Sequence, residues 1–212
     1  MTCRIELIQS GAEIIPRSCP RCGLGPCEKQ THLLRGTRGL YIGAMEKNRE
    51  GGLESRELVE KELSKLGITV WNHYKNPIMS SSNEGDEETF KKLKQLRDDG
   101  EFEQVHQLGK QIRHNDLALI DKCDFIICEL DMETLSCGTW EELFWANKGV
   151  RKPIFIYCKQ GKKSIPLWLW WTFKPSYIYN NLSEIISTVK RIDSGSIDLD
   201  SERWKLLKKE YR

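Results

Sequence analysis

A turn of small residues, Cys137-Gly138-Thr139, sends the chain into a helical pattern whose first turn carries two carboxylates, Glu141 and Glu142. A carboxylate there lies near the positive end of the helix dipole, which favours its anionic form. The same residues also read as an ordinary helix start, with Thr139 as cap and the glutamates as favourable first-turn charges. A second carboxylate stands in Arg113–Asp116, where Asn115-Asp116 on a charged helix has an equally plain reading as a solvated face. The third segment, Tyr41–Met45, follows a short apolar run. Each segment joins small or polar residues to an apolar element, and it is their combination that points to a built site.

A different chemistry is written near the N-terminus. Cys19-x2-Cys22-x4-Cys27-x4-His32 offers three thiolates and an imidazole, with Pro20, Gly23, Gly25 and Pro26 making tight turns between them. Soft ligands at this spacing suit tetrahedral Zn²⁺ in a closed, structural site. The unit has little core of its own, so the metal would supply its folding energy. The alternative is free thiols in a loop packed on the domain, with His32 merely nearby.

The elements that must position these residues follow from the apolar pattern. Gly39–Ala44 leads into a helical stretch, Leu53–Leu66, and then the β-branched run Ile68–Trp71. After a loop over Asn72–Gly85, helical patterning resumes at Asp86 and runs to Ile120 with a break near Asp99-Gly100. Asp124–Leu130 and Pro153–Cys158 are nearly continuous in apolar content, with a helix over Thr139–Lys148 between them and Gly149 at its end. Such runs belong to parallel strands buried on both faces. Ser176–Tyr179 and a helix over Leu182–Ile192 complete an α/β pattern, an open doubly wound, flavodoxin/Rossmann-like parallel sheet of about five strands. Ligands of such sheets bind at the carboxyl ends of the strands. The expected division is a Cys-rich segment over 1–36, the α/β domain over 37–193, and a tail over 194–212 whose Ser201–Tyr211 stretch is amphipathic.

With 33 basic against 31 acidic residues the net charge is +2, which gives no push toward nucleic acid or a membrane surface. The longest apolar candidate, Ile165–Phe173, is too short to span a bilayer, and the N-terminus lacks a signal-peptide pattern. A cytoplasmic protein is expected. In a reducing compartment the eight cysteines read as core thiols or metal ligands rather than disulfides.

Over about Gly39–Ile192 the sequence resembles the nucleoside 2-deoxyribosyltransferases and their relatives, which include nucleoside 5′-monophosphate N-glycosidases and phage-encoded proteins. The resemblance is carried by LYIGAM with Gly51-Gly52, by IRHNDLALIDKCDFIICELD (112–131), by CGTWEELFWA (137–146) and by VRKPIFIY (150–157). It implies an N-glycosidic cleavage or base exchange on a nucleoside or nucleotide, with Glu142, not Glu141, as nucleophile. Asp116 would orient the sugar or protonate the leaving base, and Tyr41, Gly43, Ala44, Met45, Asn115, Gly138 and Thr139 would line the substrate. The chemistry is coherent, since a close carboxylate can trap the oxocarbenium-like C1′ and a protonated one can supply the departing base.

Ser136 stands where transferases of free nucleosides carry Asp, and a hydroxyl there suits a 5′-phosphate better than a carboxylate would. Met45 replaces the first-loop Ser of the nucleotide-cleaving relatives, so that signature is incomplete. No cofactor is implied for catalysis. A homodimer or higher oligomer is expected, through the helix beginning at Thr139 and the apolar residues Trp140, Phe144, Trp145 and Leu167–Phe173. The alternative function is a non-catalytic nucleotide sensor with a zinc-stabilised interaction segment. His73 and His106 have no partner spacing that singles them out, while His114 stands beside Asn115-Asp116.

Overall fold

The computed structural model describes residues 32–43, 49–73, 87–197 and 202–207. Five strands form one sheet: β1 (Arg38–Gly43), β2 (Thr69–Asn72), β3 (Phe125–Leu130), β4 (Ile154–Cys158) and β5 (Ile178–Tyr179). Their spatial order is β2-β1-β3-β4-β5, and every neighbouring pair is parallel. The helices are α1 (Arg49–Ser64), α2 (Glu87–Asp98), α3 (Phe102–Lys122), α4 (Cys137–Phe144), α5 (Leu167–Thr172) and α6 (Leu182–Asp193). This is the doubly wound α/β fold, with the strand order of the flavodoxin type and its switch point between β1 and β3.

Alternation along the strands sorts the two faces. Tyr41, Phe125, Ile127, Phe155 and Tyr157 point to the side covered by α1 and α6, where they meet Val59, Leu63, Ile185 and Val189. Leu40, Ile42, Ile126, Cys128, Ile154 and Ile156 point to the other side, against Leu119, Ile120, Leu143 and Leu169 of α3, α4 and α5. Leu34 and Trp204, from the segments flanking 37–193, both lie in the first of these clusters. Trp204 packs against Phe125 and Phe155, with ring centroids 6.0 and 6.1 Å away. After it the tail makes one 3₁₀ turn, Lys205–Leu207. Among the described residues no helix is long and apolar enough to cross a membrane.

Two departures from the sequence pattern bear on the site. The helix expected from Thr139 begins two residues earlier, at Cys137, with Ser136 at its N-cap, so no acidic residue stands in its first turn. Ser136 Oγ and Thr139 Oγ1 are 2.6 Å apart, and neither caps a backbone N–H. At its other end α4 passes into a π turn, Trp145–Gly149, where a Cβ on Gly149 would come within 2.7 Å of the Trp145 indole. Such wide turns recur beside functional sites.

Candidate active site

Three side chains from three elements meet beside the carboxyl end of β2. His73 is the first residue after that strand, Asp116 lies on α3, and Glu142 on α4. The imidazole of His73 is almost wholly buried, with Nδ1 2.9 Å from Asp116 Oδ1 and Nε2 3.0 Å from Glu142 Oε1. Both carboxylates are themselves mostly shielded, their side chains 14% and 9% exposed. Burial alone pushes the His73 pKa down, but the charges of Glu142 and Asp116 and their hydrogen bonds outweigh it, so the net shift is well upward. Between these two carboxyl groups the ring therefore holds its proton more tightly than an ordinary imidazole.

Helix geometry explains why adjacent glutamates have different surroundings. Successive residues on a helix point about 100° apart. Glu142 faces inward beside buried Leu143, while Glu141 faces solvent, where Arg113 Nε donates to its Oε2 at 2.8 Å and the guanidinium also engages Oε1. That contact lowers the Glu141 pKa and raises that of Arg113. It also joins α3, which carries Asp116, to α4, which carries Glu142, by an exposed contact.

A second buried polar group lies at the carboxyl ends of β1, β3 and β4. Glu129, only 1% exposed, receives the hydroxyl of Tyr41 at 2.6 Å and that of Tyr157 on Oε2, and pairs with Lys159 Nζ at 3.0 Å through Oε1. Burial first, and then the Glu129 charge, pushes both phenols far up, so they remain protonated donors. Arg56 covers the Tyr41 ring, 4.8 Å from its centroid, and donates to the Gly43 carbonyl at 3.1 Å. This network fixes the end of β1, where the first loop leaves the sheet.

The residues picked out from sequence thus separate into groups. Glu142 and Asp116 are brought together, and buried Asn115 and Thr139 flank them in the chain. Ser136, Gly138 and Thr139 sit at the start of α4. Tyr41 is fully buried with its hydroxyl directed to Glu129, and Gly43 packs against that glutamate, where a Cβ would lie 3.0 Å from the Glu129 carbonyl oxygen. His114 is exposed. Ala44, Met45, Cys19, Cys22 and Cys27 lie outside the described residues.

His73 and Glu129 were passed over in the sequence. His73 had one usable signal, its place directly after a strand of an α/β sheet, where ligands bind. The signal for Glu129 was a carboxylate inside an otherwise apolar strand. Donor atoms of His73, Asp116 and Glu142 lie within 4.8 Å of one another, a distance a metal ion could bridge. The carboxylates, however, occupy different ring nitrogens, so one ion could not take all three side chains without breaking a contact. The arrangement suits proton and charge exchange better than chelation.

The family model for nucleoside 2-deoxyribosyltransferase matches residues 40–182. Among solved structures, the CMP N-glycosidase BcmB of Clostridium botulinum is similar at 18% identity, covering 73% of this chain and 98% of its own, with a TM-score of 0.44. No curated protein matches the chain.

Proposed function

The chain belongs to the nucleoside 2-deoxyribosyltransferase family, and from that premise we propose that it cleaves the N-glycosidic bond of a nucleoside 5′-monophosphate. The observation that carries this reading is the buried meeting of Glu142, His73 and Asp116. As C1′ becomes positive, a Glu142 oxygen forms a bond to it while the C1′–N bond breaks. The proton on His73 Nδ1, 2.9 Å from Asp116, passes to that carboxylate and from it to the departing base, which leaves His73 neutral until the next step returns the proton. Water then attacks C1′, gives its proton back through Asp116, and frees Glu142. Two carboxylates and one imidazolium give the cluster a net charge of −1, the right sign for an oxocarbenium-like state.

Preference for the 5′-phosphate rests on Ser136 and on the start of α4, where Ser136 does not cap the helix and the first-turn N–H groups that a helix cannot pair internally, with the Ser136 and Thr139 hydroxyls, suit an anion. Free base should appear from a panel of nucleoside 5′-monophosphates, and at least about tenfold more slowly from the matching nucleosides, the scale of a hydrogen bond to a charged group. Chromatographic detection of the base checks this. Nucleotide binding without any base release would instead establish the sensor reading, and transfer of the sugar to an added base would establish a transferase.

We also read the active form as an oligomer of this chain. Leu167, Trp168 and Trp171 on α5 are 68%, 65% and 72% exposed, a contiguous apolar surface of the kind a partner covers. Phe144 instead packs inward near Phe173, and Trp145 donates its indole N–H to Asp121 at 2.9 Å, so α5 rather than α4 offers the larger surface. Trp168→Glu with Trp171→Glu should lower oligomer mass in light scattering, and base release with it. An active monomer at assay concentration would remove this part of the reading.

A further inference from the structure

The reaction proposed above assigns no role to the Cys-rich segment, yet its last potential ligand, His32, is built into the described fold in an unusual way. Its side chain is 9% exposed, and its Nδ1 lies 2.7 Å from Oδ2 of Asp193, itself 3% exposed. The other ring nitrogen, Nε2, is buried and has no hydrogen-bonding partner. A neutral imidazole that donates from Nδ1 to a carboxylate leaves a lone pair on Nε2, and a buried Nε2 with no partner calls for an explanation.

Asp193 is equally telling. It is the last residue of α6, where a carboxylate faces the negative end of the helix dipole, and burial makes that placement still less favourable. Its position is instead matched to the chain around His32. Oδ1 accepts the Leu34 N–H at 2.9 Å, and the Asp193 main-chain carbonyl accepts the Leu33 N–H at 2.9 Å. Three contacts thus set the imidazole in one orientation at the point where the Cys-rich segment joins the domain. A carboxylate behind a histidine, fixing its tautomer and ring plane while the other nitrogen faces a metal, is the usual support of a zinc ligand.

We propose that Cys19, Cys22, Cys27 and His32 hold one structural Zn²⁺, bound by His32 through Nε2, and that Asp193 is the residue that positions this ligand. The cysteines enter by their sequence spacing, which matches a closed tetrahedral Cys₃His site. His32 enters by its geometry. The metal would lie at His32, beside the end of α6.

The full chain, purified without chelator, should contain about one zinc per molecule by elemental analysis. After exchange, cobalt should show thiolate charge-transfer bands and the intense visible bands of a tetrahedral site. Competition with a chromophoric chelator should show Asp193→Asn weakening metal binding by about 10- to 100-fold. His32→Ala and Cys22→Ser should weaken it further and change the cobalt spectrum. Far-UV circular dichroism and base release by metal-stripped protein should persist, because the sheet between 38 and 179 has its own core. A chain that takes up neither zinc nor cobalt overturns the proposal, whatever its activity. So does a folded His32→Ala variant with unchanged metal affinity and spectrum, and an unchanged affinity in Asp193→Asn removes the positioning role.

Discussion

Glu142→Gln is expected to reduce base release by about 10³-fold or more while leaving the fold intact, because it removes the proposed nucleophile and almost nothing else. Glutamine fills the same volume and keeps an oxygen in place of Glu142 Oε1, 3.0 Å from His73 Nε2 in the native protein. Alanine would be a poorer probe. Glu142 is 7% exposed and faces a buried imidazolium, so truncation would also leave a cavity and an uncompensated charge. The neighbouring Glu141→Gln gives the contrast: its partner Arg113 is 60% exposed, and such surface pairs contribute about 0–1 kcal/mol. Its effect on base release should stay within a few-fold, about 1 kcal/mol in the barrier at most. Single-turnover release by the two variants, with circular dichroism and denaturant midpoints as fold controls, checks the assignment. Equal losses would place the nucleophile elsewhere.

The sheet was legible because its strands are short apolar runs between turn residues, and a parallel strand buried on both faces has little else to show. Asp124–Leu130 was read almost to the residue, the observed β3 being Phe125–Leu130. Helix starts were less legible. Thr139 looked like the cap because it is the last small residue before the glutamates, yet Ser136 occupies that place and α4 begins at Cys137. The consequence is chemical: Glu142 falls beyond the first turn, so its surroundings are set less by the helix dipole than by His73. No periodicity could reveal that histidine. Asp116 is 43 residues from His73 in the chain, and only the crossover from β2 to α3 and the packing of α4 beside it bring the three side chains together. Glu129 was hidden for the opposite reason, since an apolar reading of FIICEL absorbs one carboxylate without comment. The tyrosines that satisfy it come from strands on either side.

His73→Gln should lower base release by about 10²-fold or more, the usual weight of a proton-transfer group, and should also destabilise the protein. Among the described residues, His73 is the one basic group shown in contact with both Asp116 and Glu142, and its removal leaves two shielded carboxyl groups facing a neutral amide. Breaking a buried ion pair from one side costs about 3–5 kcal/mol, less whatever the carboxyl groups recover by taking up a proton. The pH dependence separates this role from simple packing. The folded-state pKa of His73 is raised well above its ordinary value, so its stabilising contribution is complete below about pH 6.5 and is lost as pH rises through the raised value. Native protein should show no loss of activity near pH 6.5 attributable to this residue, and an alkaline limb above it as His73 gives up its proton. The variant should lack that limb, and its stability deficit should be largest near pH 6.5 and shrink toward alkaline pH, where native His73 is neutral as well. Ring-nitrogen NMR should report imidazolium at His73 through neutral pH in the native protein. If His73→Gln kept the native alkaline limb, or if the ring titrated near pH 6.5, the histidine would be a packing residue and Asp116 would have to draw its proton from another source.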